Sequence, residues 1–387
     1  MNYVNLYVYR FISGICFDGY AIENDKKTLV FDETGVLRDV VLPHLVDPLK
    51  TEHASGLLTP GFINAHTHLE LSHLHEIIPQ HTGLASFAVQ VVKNRGEASL
   101  DDIQQALHKA DRNMYEQGIV AVGDICNTNV SIAVKKQSTL FYHSFIECIG
   151  IEDKRSNTVL QNQLALLQQF QNAGLQSSLA AHAPYSCAYN LVTDILNHNH
   201  QVKQPFSLHV LESSAEDDFL KGHASEFDTL YHELNINYAP PVNASNSLRS
   251  WMQQIYTSTI PCLLVHNVFA DATWYACNNS NLFWVFCPMA NQYIQNTLPV
   301  LLPEKNWITA TDSLASNTTL DLISELNILY RIHKCSVDAA LQSITSVPAK
   351  ALQLQHRFGS LQPGTACGLN EIEINPSGLT FVKRWIR

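Results

Sequence analysis

The sequence has no Cys-x-x-Cys pair; its nine cysteines are scattered and odd in number. That argues against a disulfide framework and a thiolate zinc site, and for a reducing compartment. It has no run approaching the roughly 20 apolar residues of a membrane-spanning helix, and Met1-Asn-Tyr-Val4 opens no basic segment followed by a long apolar stretch. A soluble, cytoplasmic protein is expected. Positive charge is in deficit: 24 Lys+Arg against 35 Asp+Glu give a formal charge of −11. Nucleic acid and anionic membranes are therefore not expected partners. No Gly-x-Gly-x-x-Gly turn follows an early strand, and there is no P-loop or Gly-x-Ser-x-Gly elbow. The His-x-Glu…Pro-Cys-x-x-Cys pattern of a cytidine-deaminase-type zinc site is also missing.

What is present is apolar and long. Of 387 residues, 46% are hydrophobic and 15% charged. Such a chain buries a large core unaided, and its length suits a barrel of about 250 to 400 residues plus an accessory piece. Residues 1–56 read as short strands and turns: Tyr3 to Cys16, then Lys27 to Phe31 and Val36 to Leu42 around Asp32-Glu-Thr-Gly35. From residue 57 strand-like runs alternate with amphipathic helices. Eight strands are expected, opening at Phe62, Ile119, Thr139, Ser178, Phe206, Pro261, Leu282 and Trp307, the last running to Asp312. Helices are expected near Leu84–Asn94, after a capping box at Ser99-Leu-Asp-Asp102, over Thr318–Ile332 and over Val337–Leu352. This is the count of an α/β, (β/α)8 TIM-type barrel, spanning 57–357. Residues 358–387 return to turns and short strands, and are expected to join 1–56 in one small β domain.

Polar residues recur at the expected strand ends, where barrel active sites lie: His66 and His68, Asp124, Glu147, His182, His209, His266 and Asp312. His66 and His68 close the apolar run Phe62–Ala65, and positions i and i+2 of a strand share a face. The pairs His73/His75 and His198/His200 follow no such run and read as solvated surface histidines. His66, His68, His209 and Asp312 make a mononuclear oxygen/nitrogen site for one divalent ion, zinc before iron. Such an ion lowers the pKa of a bound water from 15.7 to about 7. Glu212, three residues after His209, is expected to shuttle the proton, with Asp312 sharing it and His266 acting as a neutral orienting imidazole.

With these residues in place the chain resembles the amidohydrolase superfamily over nearly its whole length. The resemblance rests on Pro60-Gly-Phe-Ile-Asn-Ala-His-Thr-His68, His182-Ala-Pro-Tyr185, His209-x-x-Glu212, His266, Cys287-Pro-Met-Ala-Asn291, Thr311-Asp-Ser313 and Gly359-Ser-Leu-Gln-Pro-Gly364. It implies a barrel with a β-sandwich built from both chain ends. It implies one metal, since the fourth strand offers His182 and not a bridging lysine. It also implies hydrolytic deamination of an amino-substituted purine-type heterocycle. His68-Leu-Glu-Leu-Ser72 and Phe87…Val92-Lys-Asn-Arg95 resemble the aminodeoxyfutalosine deaminases, which puts 6-amino-6-deoxyfutalosine first among substrates and makes Glu70 and Arg95 expected substrate contacts, with Glu147, His182 and Ser313. Similar proteins are commonly homodimers. The same site also serves other C–N or C–Cl bonds, as in guanine, triazines or cyclic amides. A non-catalytic scaffold, by contrast, would be expected to have lost a ligand or Glu212.

Overall fold

The computed structural model describes residues 9–237 and 248–387. Residues 3–8 of the expected first strand lie outside that range, and the strand that is described, β1, runs Arg10–Cys16. It is followed by β2 (Lys27–Phe31), β3 (Leu37–Val41) and β4 (Thr51–Thr59). From Thr59 the chain passes through Pro60 and Gly61 directly into the barrel. Gly61 has no substitute here, because a Cβ would lie 2.2 Å from Val120 Cγ1.

The barrel strands form two parallel four-stranded runs. The first is β5 (Phe62–Thr67), β6 (Ile119–Cys126), β7 (Phe141–Cys148) and β8 (Gln176–Ala181). The second is β9 (Phe206–Val210), β10 (Cys262–His266), β11 (Leu282–Phe286) and β12 (Trp307–Thr309). Helices alternate with them, giving the (β/α)8 TIM-type architecture. Two backbone bonds join the runs at one rim: His209 N donates to His182 O at 2.9 Å, and Asp312 N to His66 O at 3.2 Å. The strands then return as β13 (Leu369–Asn375) and β14 (Gly378–Ile386). Both chain ends meet in one six-stranded sheet, ordered β14-β13-β4-β1-β2-β3. It has its own small core, including Ile12, Leu29, Phe31, Leu58 and Leu369.

Strand alternation divides the barrel's apolar residues into two clusters. Ile63, Ala65, Phe145, Leu263, Val265 and Val285 pack inside the barrel. Phe62, Val122, Leu208 and Leu264 pack outward against helices through residues such as Leu107 and Met114.

Three local expectations are corrected. The eighth strand ends at Thr309, before Asp312. The helix expected over Val337–Leu352 is two helices, Val337–Gln342 and Ser346–Ala351. Pro348 has no N–H to give the carbonyl four residues back, and that carbonyl, Ile344 O, accepts instead from Ile63 N of β5 at 2.8 Å. At Ser99 the hydroxyl caps Asp102 N, but the Asp102 carboxylate accepts from that hydroxyl. A reciprocal capping box forms at Ser225 and Asp228. All nine cysteines are free. No helix among the described residues is long and apolar enough to cross a membrane.

Candidate metal centre and active-site cavity

Three imidazoles and one carboxylate converge where the two runs of strands meet. His209 Nε2 lies 3.2 Å from His68 Nε2 and 3.3 Å from His66 Nε2. Asp312 Oδ1 lies 3.5 Å from His66 Nε2 and 3.4 Å from His68 Nε2. Four ligands held about 2.0–2.1 Å from a tetrahedral zinc stand roughly 3.3–3.4 Å apart. The donor set therefore fits one divalent ion.

Simple alternation would not aim His66 here. Ile63 and Ala65 point into the barrel, so His66 should point out. The register of β5 against β6 shifts between Asn64 and Thr67, and this bulge turns the ring inward. Gly123 lets β6 approach that closely, since a Cβ would meet Ala65 O at 2.3 Å.

Protonation suits ligation. His209 Nδ1 donates to His182 O at 2.8 Å, which leaves Nε2 with its lone pair. Burial, helped by the neighbouring imidazoles, holds His209 far below the usual histidine range. Burial likewise lowers His68. For Asp312 burial alone would raise the pKa, but the neighbouring His66, His68 and His266 hold it below the ordinary carboxylate range. Ser316 Oγ donates to Asp312 Oδ2 at 2.6 Å, so Oδ1 is the oxygen turned to the histidines.

Glu212 and His266 stand beside these donors, with Glu212 Oε2 3.5 Å from His266 Nε2. The Asn291 amide donates to His266 Nδ1 at 3.0 Å, so the proton sits on Nε2 and faces the carboxylate. Burial pushes His266 down to about 3, which keeps the ring neutral. Burial, with Asp312, Glu216 and Glu226 nearby, pushes Glu212 well above the usual carboxylate range. The loop that presents Glu212 is held by Glu216, a residue the sequence did not single out. Its buried carboxylate accepts from Leu211 N at 2.9 Å, Glu212 N at 2.8 Å and Ser213 N at 3.2 Å. The available signal was its place one helical turn beyond Glu212.

The sequence profile described as the amidohydrolase family matches residues 57–373. The chain belongs to the amidohydrolase family. It is thus a hydrolase acting on carbon–nitrogen bonds. It is 26% identical over 356 residues to an adenosine deaminase of Helicobacter pylori, covering 86% of this chain and 85% of that one. It is 26% identical over 340 residues to an aminodeoxyfutalosine deaminase of Nitratiruptor sp., covering 85% and 82%. Among solved structures it resembles Helicobacter pylori aminofutalosine deaminase in complex with methylthio-coformycin, with a TM-score of 0.78 and 23% identity over 95% of this chain and 92% of that one.

In this amidohydrolase His68, His209 and Asp312, with Glu212 and His266, line a cavity of about 590 Å³, the size of a small-molecule site. Its walls are largely apolar, with Phe87, Val91, Tyr185, Leu230 and Ile294. Glu147, His182 and Ser313 line it, and Arg95 lines it from an exposed position. Glu70 is not brought to the cavity. Its Oε2 accepts from Asn127 N at 3.1 Å and Thr128 N at 3.0 Å, and its Oε1 from Ser131 Oγ at 3.4 Å. Its position orders the loop after β6. Asp124 also turns away: Oδ1 accepts from Leu69 N at 2.7 Å and Oδ2 pairs with buried Lys135 at 2.6 Å. That pair fixes the backbone just after His68. The other His-x-His pairs are half-buried at the surface; His73 and His75 bond Arg95 O and Thr318 O, and His200 bonds Ser258 and Thr259.

Proposed function

We propose that this amidohydrolase is a hydrolytic deaminase that releases ammonia from an amino-substituted purine, with 6-amino-6-deoxyfutalosine first among substrates and zinc, then iron, as the ion. The observation that carries the reading is the place of Glu212, a buried carboxyl group beside His266 in a largely apolar cavity that His68, His209 and Asp312 also line. The two relatives named as deaminases support it.

A divalent ion held by His66, His68, His209 and Asp312 would make water acidic enough to lose a proton near neutral pH. Glu212 has the proton to give. With its pKa raised, the carboxylic acid protonates the ring nitrogen next to the amino-bearing carbon. Water adds its oxygen to that carbon as one of its protons passes to Glu212, which hands it to the departing amine. The C–N bond breaks as the new hydroxyl becomes a carbonyl and gives its remaining proton to Asp312, ammonia leaves, and that proton passes back to Glu212. His266, neutral and donating from Nε2, stabilises the charge that develops on the attacking oxygen. The apolar walls exclude bulk water from the ring.

The test is ammonia release by metal-loaded protein from futalosine-type adenosines, adenosine, guanine and triazines, with metal content measured. Purine-selective release supports the proposal. Activity confined to chloride release from triazines, or to a cyclic amide, would replace it with the other hydrolase reading.

A further inference from the structure

Two residues of the site have left-handed backbones, His266 at φ 81° and Asp312 at φ 57°. Such conformations persist only where the surroundings hold them from several sides. For Asp312 the hold is on the peptide bond that precedes it. The N–H of that bond donates to His66 O at 3.2 Å, and its carbonyl, Thr311 O, accepts from Asn317 Nδ2 at 2.8 Å. For His266 the hold is the Asn291 amide on Nδ1, and Asn291 lies near the start of the helix Pro288–Gln295.

Both lines run back to one group. Glu325, in the first turn of the helix Leu322–His333, is 0% exposed. Its Oε2 accepts from Met289 N at 2.8 Å, two residues before Asn291. Its Oε1 accepts from Asn317 Nδ2 at 2.6 Å, the same nitrogen that holds Thr311 O. The Asn317 amide is fixed the right way round, because its Oδ1 accepts from Thr318 N at 2.8 Å and Thr319 N at 3.3 Å. A buried carboxyl group is unfavourable, and an apolar side chain of similar volume would pack there at lower cost. What the carboxyl group adds is these two bonds, and each leads to a left-handed residue of the site.

We propose that Glu325 is a positioning residue for the reaction: one buried carboxyl group sets the aim of Asp312 and of His266 together. It does not line the cavity. It acts through Asn317 on one side, and through Met289 and Asn291 on the other. This rests on the roles given to Asp312 and His266 above.

The test separates the two sides in the full chain. Asn317→Ala cuts the Asp312 side alone. Zinc affinity, read by chelator competition, should fall about tenfold or more, while the His266 tautomer, read in the ¹H–¹⁵N spectrum of the imidazoles, stays as in wild type. Glu325→Ala cuts both sides. Zinc affinity should fall again, the His266 signal should depart from the pure Nε2–H form, and kcat at saturating zinc should drop about tenfold or more with KM within about threefold. Glu325→Gln keeps the volume, but its single oxygen meets only one of the two N–H donors, so it should reproduce the loss on one side. Wild-type zinc affinity, His266 spectrum and kcat in Glu325→Gln would overturn the proposal even if the alanine variant fails to fold, and so would a loss of stability alone. Shifts in zinc affinity and tautomer with no ammonia from any purine would instead sink the deaminase reading and leave the role of Glu325 standing.

Discussion

His266 and His209 stack with ring centroids 5.4 Å apart and planes 22° from parallel, although strand alternation assigns them opposite faces. His209 is in register with Val265, an interior residue, so His266 should point outward. A left-handed backbone, φ 81°, swings it in. Few side chains tolerate that region, and a β-branched one least of all. His266→Asn and His266→Val should both lose roughly 10²- to 10⁴-fold in kcat. Only the valine should also lose about 1–3 kcal/mol of stability. Assays paired with denaturant titration separate the two, and equal stability losses would show that the backbone is not strained.

Glu212→Gln and His209→Ala should differ in kind. The glutamine keeps shape but carries no transferable proton. It should bind zinc as wild type does and turn over roughly 10²- to 10⁴-fold more slowly. The alanine removes one of four donors and should weaken zinc binding as well. Competition with a chromogenic chelator measures the ion, and near-normal turnover by Glu212→Gln would mean another group moves the proton.

Glu70 makes a prediction about pH. Burial, then Asp124, against the pull of Lys135, raises its pKa from 4.5 to about 7. A carboxyl raised by folding binds its proton more tightly when native. Its contribution is fully present below about pH 4.5 and is lost as pH rises through about 7. The metal-free Glu70→Gln protein should show a stability–pH slope less negative than wild type between those limits, by up to about 1.4 kcal/mol per pH unit. Parallel slopes in chemical denaturation would assign the titration elsewhere.

The Lys135–Asp124 pair is fully buried. Asp124 holds Lys135 above the usual lysine range although burial alone would lower it. Lys135→Met leaves a carboxylate in the core with no counter-charge, at a cost of about 3–5 kcal/mol. Because Asp124 also holds Leu69 N, zinc affinity should fall with it. Lys135→Met with Asp124→Asn should recover most of the stability. A single-variant loss under about 1 kcal/mol would show that water reaches the pair.

Much of this was legible in the sequence because it depends on position along a strand. His209 and the barrel strands follow from where apolar runs stop, while Asp312 stands three residues past its strand on a left-handed backbone. What was not legible depends on departures from regular geometry or on the direction of a side chain. His66 points inward through a bulge and His266 through a left-handed residue, and spacing encodes neither. Glu70 sits two residues from His68 yet faces a loop. Glu216 acts through its carboxylate on backbone amides, which no motif announces. Pro348 divides a helix whose apolar period continues across the break.

The four donors are not drawn from one piece of the barrel. His66 and His68 come from the first run of strands, His209 and Asp312 from the second, and the amides of His209 and Asp312 also make the two backbone bonds that join the runs. An ion seated there acts as a rivet through both halves of the molecule. Prying the halves apart and stripping the ion become the same event, so the protein should resist partial opening and fail all at once.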